Sequence, residues 1–344
     1  MSIPEKANDA SFENFESPYG SNKQGLIWGY AFQADQPAKP IGGDSLEAIL
    51  QGNTKDTFLW LHFSLSNTAT ERWIRANLAL PDSFYESLQS QVGSTRLEQI
   101  DDSLVAVIHD VMFQYPLDPS DVSTVVLCLE KRFLITVRLK PLRSIDQLRA
   151  SVKAGKTFQS SVELLCQLLL DQAELLVDIV RKSTDRVNGI EDSLLSNRVS
   201  SSRRELSSLR RALVRLQRML APEPAALFRL LNRPPAWIGT DDLEALRQSA
   251  EEFSAAVVDS NSLVERIRLI QEEFAAIINE QTNRTLFTLT MVTVIALPIN
   301  LIAGLFGMNV GGIPLSSYQH GFAIIIGIIV LMTAFLASMA FRKK

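Results

Sequence analysis

Residues 286–306 read LFTLTMVTVIALPINLIAGLF, and residues 322–341 read FAIIIGIIVLMTAFLASMAF. Neither stretch contains a charged residue. A helix needs about 20 apolar residues to cross the hydrocarbon core of a bilayer, and the buried helices of soluble proteins seldom run that long without a charge. We therefore expect two transmembrane helices, over residues 285–306 and 322–341, joined by a loop over 307–321. A buried helical hairpin is the alternative.

The charges around these stretches predict how the chain lies in the membrane. No Asp or Glu follows Glu280. Arg284 precedes the first stretch, a basic tail at 342–344 follows the second, and the loop at 307–321 has no Lys or Arg. Because basic residues flank membrane helices on the cytoplasmic side, we expect a multi-pass protein with both termini in the cytoplasm and the loop outside.

The composition of the soluble part excludes several classes of protein. Residues 1–284 hold 31 Lys and Arg against 38 Asp and Glu, and this modest acidity argues against nucleic acid as the main partner. The N-terminus has neither the apolar core of a secretory signal nor the arginines of a transit peptide. Cys128 and Cys166 form no CxxC pattern, which indicates reduced thiols and not a disulfide or a zinc site.

The soluble part begins with two segments of different character. Residues 1–25 are polar and are predicted to be disordered. Residues 26–141 combine short β-type runs with two helical segments, which predicts a cytoplasmic α/β domain. We expect Leu104–Phe113 to alternate between buried and exposed positions. The predicted strands are Leu26–Phe32, Phe58–Phe63, Leu104–Phe113, Val122–Glu130 and Phe133–Arg138, and the predicted helices are Thr70–Leu78 and Asp82–Gln91.

Residues 142–284 are predicted to form a helical bundle and a stalk. Periodic apolar residues predict helices over Ser161–Asn197 and Ser202–Leu220. A last helix is predicted to start near Thr240 and to run without a stop to Phe306, about 100 Å at 1.5 Å per residue. Most of its heptad a and d positions before the membrane are apolar, as in a coiled-coil stalk. The prolines predicted to break helices are Pro222, Pro224, Pro234 and Pro235.

A short motif closes the first apolar stretch. The chain has the spacing N-x14-P-x8-G-M-N from Asn283 through Pro298 to Asn309. Together with the α/β region, the stalk and the two C-terminal spans, it resembles the CorA superfamily of divalent-cation transporters over nearly its whole length. The resemblance implies an α+β membrane protein, a funnel-shaped homopentamer in the bacterial inner membrane whose first span lines a central pore. Gly307, Met308 and Asn309 would form the outer mouth of that pore.

The loop after this motif reads VGGIPLSSYQHG and contains no acidic residue. Magnesium members of the superfamily typically have an aromatic residue and then Pro-Glu at this place, so the chain is most similar to the ZntB branch. That branch implies transport of Zn²⁺, with Cd²⁺, Ni²⁺ and Co²⁺ as further ions, and it suggests coupling to protons. A CorA-type Mg²⁺ or Co²⁺ channel remains the alternative. No resident cofactor is expected.

The residues of the first span can be tested against the implied pore. At 100° per residue, its polar and small side chains gather in one sector, and Leu289, Val292, Ile295, Ile299 and Ile302 lie opposite. The alternative is that Thr and Asn hydrogen-bond between helices and that Gly permits close packing. The predicted pore-lining residues are Asn283, Leu286, Thr290, Thr293, Leu297, Asn300 and Gly304.

Few other residues suggest chemistry. His320, at the outer edge of the second span, is a candidate metal or proton site, although an interfacial histidine is the simpler reading. His62 and His109 lie in β-type runs and are predicted to be structural. The arginines of residues 202–220 are predicted to pair with the acidic residues of the preceding helix, and an anion site is the alternative. No P-loop, HExxH motif or nucleophile elbow supports an enzyme. A two-span scaffold or sensor remains a competing function.

Overall fold

The computed structural model describes residues 20–34, 36–42, 46, 57–90, 95–112, 121–195, 199–308, 311–312, 314–315 and 318–341. Of the segment predicted to be disordered, residues 1–19 lie outside this range. From Gly20 onward the chain is held by hydrogen bonds, because the Asn22 side chain accepts from the backbone N–H groups of Gln24 and Leu26 at 3.0 and 2.9 Å. The structured part therefore starts before the first strand.

A seven-stranded mixed sheet organises the N-terminal half of the chain, in the order β2-β1-β3-β7-β6-β5-β4. Strands β3 and β7 are parallel, and every other neighbouring pair is antiparallel. The strands are β1 Leu26–Gln33, β2 Lys39–Ile41, β3 Thr57–Ser64, β4 Arg96–Ile100, β5 Ser103–Val111, β6 Val122–Glu130 and β7 Phe133–Arg138.

Helices cover both faces of this sheet. On one face, α1 Thr70–Asn77 and α2 Asp82–Gln89 contribute Ile74 and Phe84 to a core that contains Leu61 and Phe63 of β3. On the other face, α3 Arg143–Lys153 and α4 Ser161–Leu195 pack against the sheet. Because side chains alternate across a strand, Trp60 points to this second face, where it is fully buried.

Two predictions about the sheet need correction. Leu104–Phe113 was expected to alternate between buried and exposed positions, but all nine residues of β5 are buried. Helices on both faces produce this pattern, since a strand covered on both sides has no exposed side. The edge strands β2 and β4 were not predicted, because Lys39–Ile41 has three residues and Arg96–Ile100 reads RLEQI.

The prolines of the helical region separate helices, as predicted. Helix α5 runs from Val199 to Leu220 and ends where predicted, and a further helix that was not predicted, α6, runs from Pro222 to Asn232. Pro222 and Pro224 lie in the first turn of α6. The first turn tolerates proline because its N–H groups have no partner within the helix. The remaining pair of prolines lies beyond the end of α6, as predicted.

The final helices have the predicted extent. Helix α7 runs from Thr240 to Phe306, 67 residues, with Pro298 inside it. Helix α8 runs from Gly321 to Phe341 and contains no charged residue. The chain divides into two compact units, Met1–Arg268 and Leu269–Lys344, so the uncharged part of α7 and all of α8 belong to the second unit.

A network of buried polar side chains joins the sheet to the helices of the first unit. The carboxylate of Asp110 on β5 accepts hydrogen bonds from the backbone N–H and the hydroxyl of Ser144, in the first turn of α3, at 2.9 and 2.8 Å. Gln172 of α4 donates to the carbonyl of His109 at 2.7 Å. Glu223 of α6 accepts from the N–H of His109 at 2.5 Å. These bonds fix the helices in register on β5.

Burial raises the pKa of Asp110 to about 7, although hydrogen bonds from Ser144 and Val111 act in the opposite direction and Glu223 adds to the rise. An aspartate of the unfolded chain titrates near pH 4. Between about pH 4 and 7 the folded protein therefore holds a proton that the unfolded chain has released. Its free energy of unfolding must fall as the pH rises through this window.

We predict that Asp110→Asn makes the first unit less sensitive to pH. The loss of unfolding free energy between pH 5 and pH 8 should shrink by roughly 2 kcal/mol, because the titrating group is gone. Urea unfolding of the full-length protein, followed by tryptophan fluorescence, measures the unfolding free energy of the first unit, because all four tryptophans precede residue 240. The exposed Asp102→Asn is the control, and an unchanged pH slope in Asp110→Asn would contradict the assignment.

Candidate functional site

The uncharged part of α7 has two faces that differ in exposure. Every residue of the predicted pore-lining set is exposed in the chain, with Leu286 at 54% and Leu297 at 67%. The partly covered residues lie on the other side of the helix and include Ile295, Ile299 and Ile302. Helix α8 has a comparable stripe of partly covered residues, spaced at three and four positions. The stripe in α8 consists of Ile325, Ile329, Met332, Thr333 and Leu336.

The exposed side and the partly covered side of α7 carry different kinds of side chain. The polar and small side chains are on the face that nothing within the chain covers. The isoleucines predicted to lie opposite are partly covered. Leu289 and Val292, also predicted to lie opposite, are exposed at 62% and 58%, although Met291 between them is partly covered.

Threonine hydroxyls on α7 donate to the helix backbone. Thr293 donates to the carbonyl of Leu289 at 2.9 Å, and Thr285 donates to that of Gln281 at the same distance. A hydroxyl has one hydrogen and two lone pairs. Because the hydrogen of Thr293 is engaged by the backbone, its oxygen presents only acceptor capacity to the exposed face. Such an oxygen suits a ligand that donates hydrogen bonds, for example the water shell of a cation.

The loop between α7 and α8 is described in part. Gly307 follows α7, and its N–H donates to the carbonyl of Ala303 at 2.9 Å. Met308 is half exposed, and Asn309 lies outside the described residues. At the far end, Leu315 has a φ of 68°, and a Cβ on Gly321 would come within 2.3 Å of the Leu315 carbonyl oxygen. Gly321 is therefore the residue that permits the loop to enter α8.

The histidines lie in different surroundings. His320 is exposed and its ring meets that of Tyr318 edge-on at 6.2 Å. His62 is fully buried on β3. His109 is buried on β5, where its Nδ1 lies 3.1 Å from the Thr95 hydroxyl and 3.6 Å from Glu223 Oε1. Within the described part of the chain, no three His, Cys, Asp or Glu side chains come together in a way that could hold a metal ion.

Two of the acidic residues predicted to pair with the arginines of α5 have other partners. Asp178 of α4 pairs with Arg181 and Lys182 of its own helix, at 2.8 and 2.6 Å. Glu191 pairs with Arg266 of α7. Four arginines of α5 line an open groove of about 480 Å³. The residues of this groove are Arg210, Arg211, Val214, Arg215, Arg218 and Met219.

Within the described residues, one helix is long and apolar enough to cross a membrane. Helix α7 contains an 18-residue window with a mean hydropathy of 2.1, none of which is buried within the chain. In α8 the apolar stretch whose side chains the structure describes, Gly321–Leu336, is shorter than a full span. The second predicted span therefore remains a prediction.

Comparison with known proteins gives the family. The profile of the CorA-like Mg²⁺ transporter family matches residues 55–343. The divalent cation transporter CmaX of Pseudomonas aeruginosa is 27% identical over 305 residues, which cover 88% of this chain and 91% of that protein. The zinc transport protein ZntB of Klebsiella pneumoniae is 24% identical over 321 residues, which cover 92% of this chain and 95% of that protein.

Solved structures give the fold independently. Full-length CmaX superposes with a TM-score of 0.81 at 24% identity, over 93% of this chain and 99% of CmaX. The CorA magnesium transporter of Methanocaldococcus jannaschii superposes with a TM-score of 0.70 at 17% identity, over 90% and 96%. The protein thus has the CorA-like fold, with an N-terminal α/β soluble domain and a long helix. The chain belongs to the CorA family, whose members are ion transporters and not enzymes, and it is a divalent cation transporter.

Proposed function

We propose that five copies of this chain assemble around a central pore in the bacterial inner membrane and move Zn²⁺ through it. The first span, residues 285–306, lines the pore, and residues 322–341 form a second span outside it. Both termini lie in the cytoplasm, with the loop at 307–321 on the outer side. The soluble α/β domain over 26–141 and the helical bundle and stalk over 142–284 then form the cytoplasmic part of a funnel.

The observation that carries this proposal is the exposed face of α7. It combines hydroxyl and amide groups with two leucines and contains no charge. In a monomer, polar groups exposed to hydrocarbon would cost several kcal/mol each if unsatisfied. A ring of helices with this face turned inward gives the polar groups water and leaves the apolar side chains to lipid and to α8.

A pore of neutral dipoles suits a strongly hydrated ion. The water shell of a divalent cation directs hydrogens outward, and acceptor oxygens such as that of Thr293 and the amide of Asn300 hold it without stripping it. Repeated five times, these oxygens form rings along the pore. Leu286 and Leu297 form apolar collars between the rings, and such collars close a pore by excluding water.

The outer mouth is proposed to be the ring of five Asn309 amides with the carbonyls of Gly307 and Met308. The amide oxygens and carbonyls present partial negative charge to an arriving cation. Because the loop contains no Asp or Glu, this attraction comes from dipoles and not from fixed charge. A dipole ring selects by the geometry of the hydrated ion more than by its net charge.

Zinc is proposed as the transported ion on the acid-free loop and on the 24% identity to ZntB. Cd²⁺, Ni²⁺ and Co²⁺ share the hydration chemistry and are further substrates. The alternative is a CorA-type channel for Mg²⁺ or Co²⁺, which the description of the family profile favours. The competing scaffold or sensor loses its support, because it requires neither the GMN motif nor a polar face on α7.

Ion flux into liposomes that contain only this protein decides between the two ions. Internal fluorescent indicators should report Zn²⁺ influx, and external Mg²⁺ in excess should compete weakly. Cross-linking of the same sample should give a ladder that ends at five copies. Mg²⁺ influx without Zn²⁺ influx would favour the magnesium channel, and a ladder ending elsewhere would contradict the pentamer.

We predict that Asn309→Ala reduces Zn²⁺ influx by at least tenfold while the oligomer stays assembled, because the substitution removes five amide dipoles from the mouth. The matched control is Gln319→Ala, which removes an exposed amide from the same loop and should leave influx unchanged. Normal influx in an assembled Asn309→Ala protein would exclude this residue from the ion path.

The route of protons can also be predicted. Between Gln281 and Phe341 His320 is the only His, and the segment contains no Asp or Glu, whereas membrane proton relays use these residue types. We therefore expect that no residue in the bilayer core exchanges a proton with the metal ion. If Zn²⁺ flux depends on a proton gradient, the coupling must run through His320, through cytoplasmic carboxylates such as Glu280, or through water.

Metal flux against pH in His320→Ala and Glu280→Gln separates these routes. Loss of the pH dependence in one variant identifies that side chain as the proton carrier. A wild-type pH profile in both variants assigns the coupling to the solvated pore or to more distant carboxylates. Loss of the pH dependence on substitution of an uncharged residue within 285–306, with Zn²⁺ influx retained, would contradict the prediction.

A further inference from the structure

Five side chains gather at the second face of the sheet, on the side covered by α3. Trp28, His62 and Thr136 occupy neighbouring positions on β1, β3 and β7, and Arg138 lies two residues further along β7 on the same face. The Trp28 ring stacks on the His62 ring at 4.1 Å. The guanidinium carbon of Arg149, from α3, lies 4.1 Å from the Trp28 ring centre, and that of Arg138 lies 5.8 Å from it.

Four nitrogen atoms of this cluster are buried, and none has a hydrogen-bond partner within the described part of the chain. Buried polar groups are usually hydrogen-bonded. A single buried nitrogen without a partner would need little comment, but four such nitrogens around one aromatic ring require an explanation. The atoms are Trp28 Nε1, His62 Nε2, Arg138 Nη1 and Arg149 Nε.

Three of these four nitrogens are donors in every protonation state, since indole and guanidinium nitrogens can only donate. The hydroxyl of Thr136 accepts from Trp60 Nε1 at 3.0 Å, and its oxygen lies 2.7 Å from His62 Nδ1 and 3.4 Å from the Leu61 carbonyl. The direction of the His62 contact depends on the tautomer of the ring, and His62 Nε2 is a fourth donor when the ring hydrogen is on that atom.

The cluster also carries an excess of positive charge. Burial lowers the pKa of His62 well below its usual value, and Arg138 and Arg149 lower it further, so the ring stays neutral. The two arginines are opposed by one acid, Asp146 of α3, whose own pKa is raised by burial and lowered by both guanidinium groups. Two positive charges against one negative charge leave an excess of about one positive charge.

We propose that this cluster is a binding site for a small oxyanion of the phosphate class, in the soluble unit and separate from the transport path. The oxygens of a phosphate anion are mainly acceptors, which complements the three fixed donors and the His62 tautomer that donates from Nε2, and the charge of the anion balances the excess. Arg138 and Arg149 are partly exposed as residues, so the cluster lies near the surface, although its four unpartnered nitrogens are themselves buried. Planar guanidinium groups bind oxyanions with charge-assisted hydrogen bonds.

Another arginine of the same unit, Arg75, stacks on an aromatic ring and also has an acidic partner. Arg75 lies 3.8 Å above the Tyr85 ring and pairs with Glu71 at 3.3 Å. The stack of Arg149 on Trp28 has the same geometry, but the Nε atom of Arg149 has no acceptor. Arg75 therefore provides a matched control.

The test is a titration of the full-length protein in detergent with sodium phosphate, at constant pH and with ionic strength held fixed by sodium chloride. Phosphate should shift the tryptophan fluorescence and the midpoint of thermal unfolding in a saturable manner. Arg149→Gln or Arg138→Gln should raise the half-saturating concentration about tenfold or more, the value of one charge-assisted hydrogen bond. Arg75→Gln should leave it unchanged.

Two further variants keep the test decisive. Trp28→Phe keeps an aromatic ring and both arginines but removes the indole N–H donor, so it should lose most of the fluorescence response and show a thermal response with a raised half-saturating phosphate concentration. Arg149→Lys keeps the charge without the planar fork and should bind phosphate more weakly than the wild type. A wild-type protein that shows no saturable response to phosphate overturns the proposal, as does wild-type binding in both arginine-to-glutamine variants.

Discussion

A peptide group inside hydrocarbon has no water to bond with, so every N–H and carbonyl there must find a partner within the protein. This requirement bears on the uncharged stretches 286–306 and 322–341. Helix α7 runs over 67 residues, and its Thr288 and Thr293 direct their hydroxyl hydrogens back to the same helix. The exception is Pro298, which has no N–H and leaves the carbonyl of Val294 without its helical donor. A carbonyl freed in hydrocarbon needs another donor, which a neighbouring helix, a side-chain hydroxyl or water can supply.

The same requirement acts inside the soluble unit with a different result. The helices that cover β5 are tied to it by Asp110, Gln172 and Glu223, which pair with backbone groups across the layer. These bonds give each helix one position, whereas apolar packing alone would accept several. This network also has buried oxygens without a partner, at Gln172 Oε1 and Glu223 Oε2, whereas the unpartnered atoms of the cluster around Trp28 are four nitrogens gathered at one aromatic ring.

The sequence predicts the repeating features of the fold well. Val122–Glu130, Phe133–Arg138 and Thr240–Phe306 have the predicted bounds, because hydrophobic period and turn residues are local signals. The edge strands β2 and β4 were missed since they are short or polar, and the burial of β5 on both faces depends on helices distant in sequence. The exposed stripe of α7 follows from helical geometry alone. The Trp28 cluster could not be foreseen, because its residues come from four separate segments.

The parallel pairing of β3 with β7 has a consequence for synthesis. Trp60 and Thr136, 76 residues apart, are joined by a hydrogen bond, so the sheet cannot close until β7 has left the ribosome. The first uncharged stretch begins at Leu286, and translation at about 5–20 residues per second delays its appearance by on the order of ten seconds. Domains of mixed topology usually fold faster than this. The sheet can therefore be complete before the first strongly apolar stretch of the chain has been synthesised.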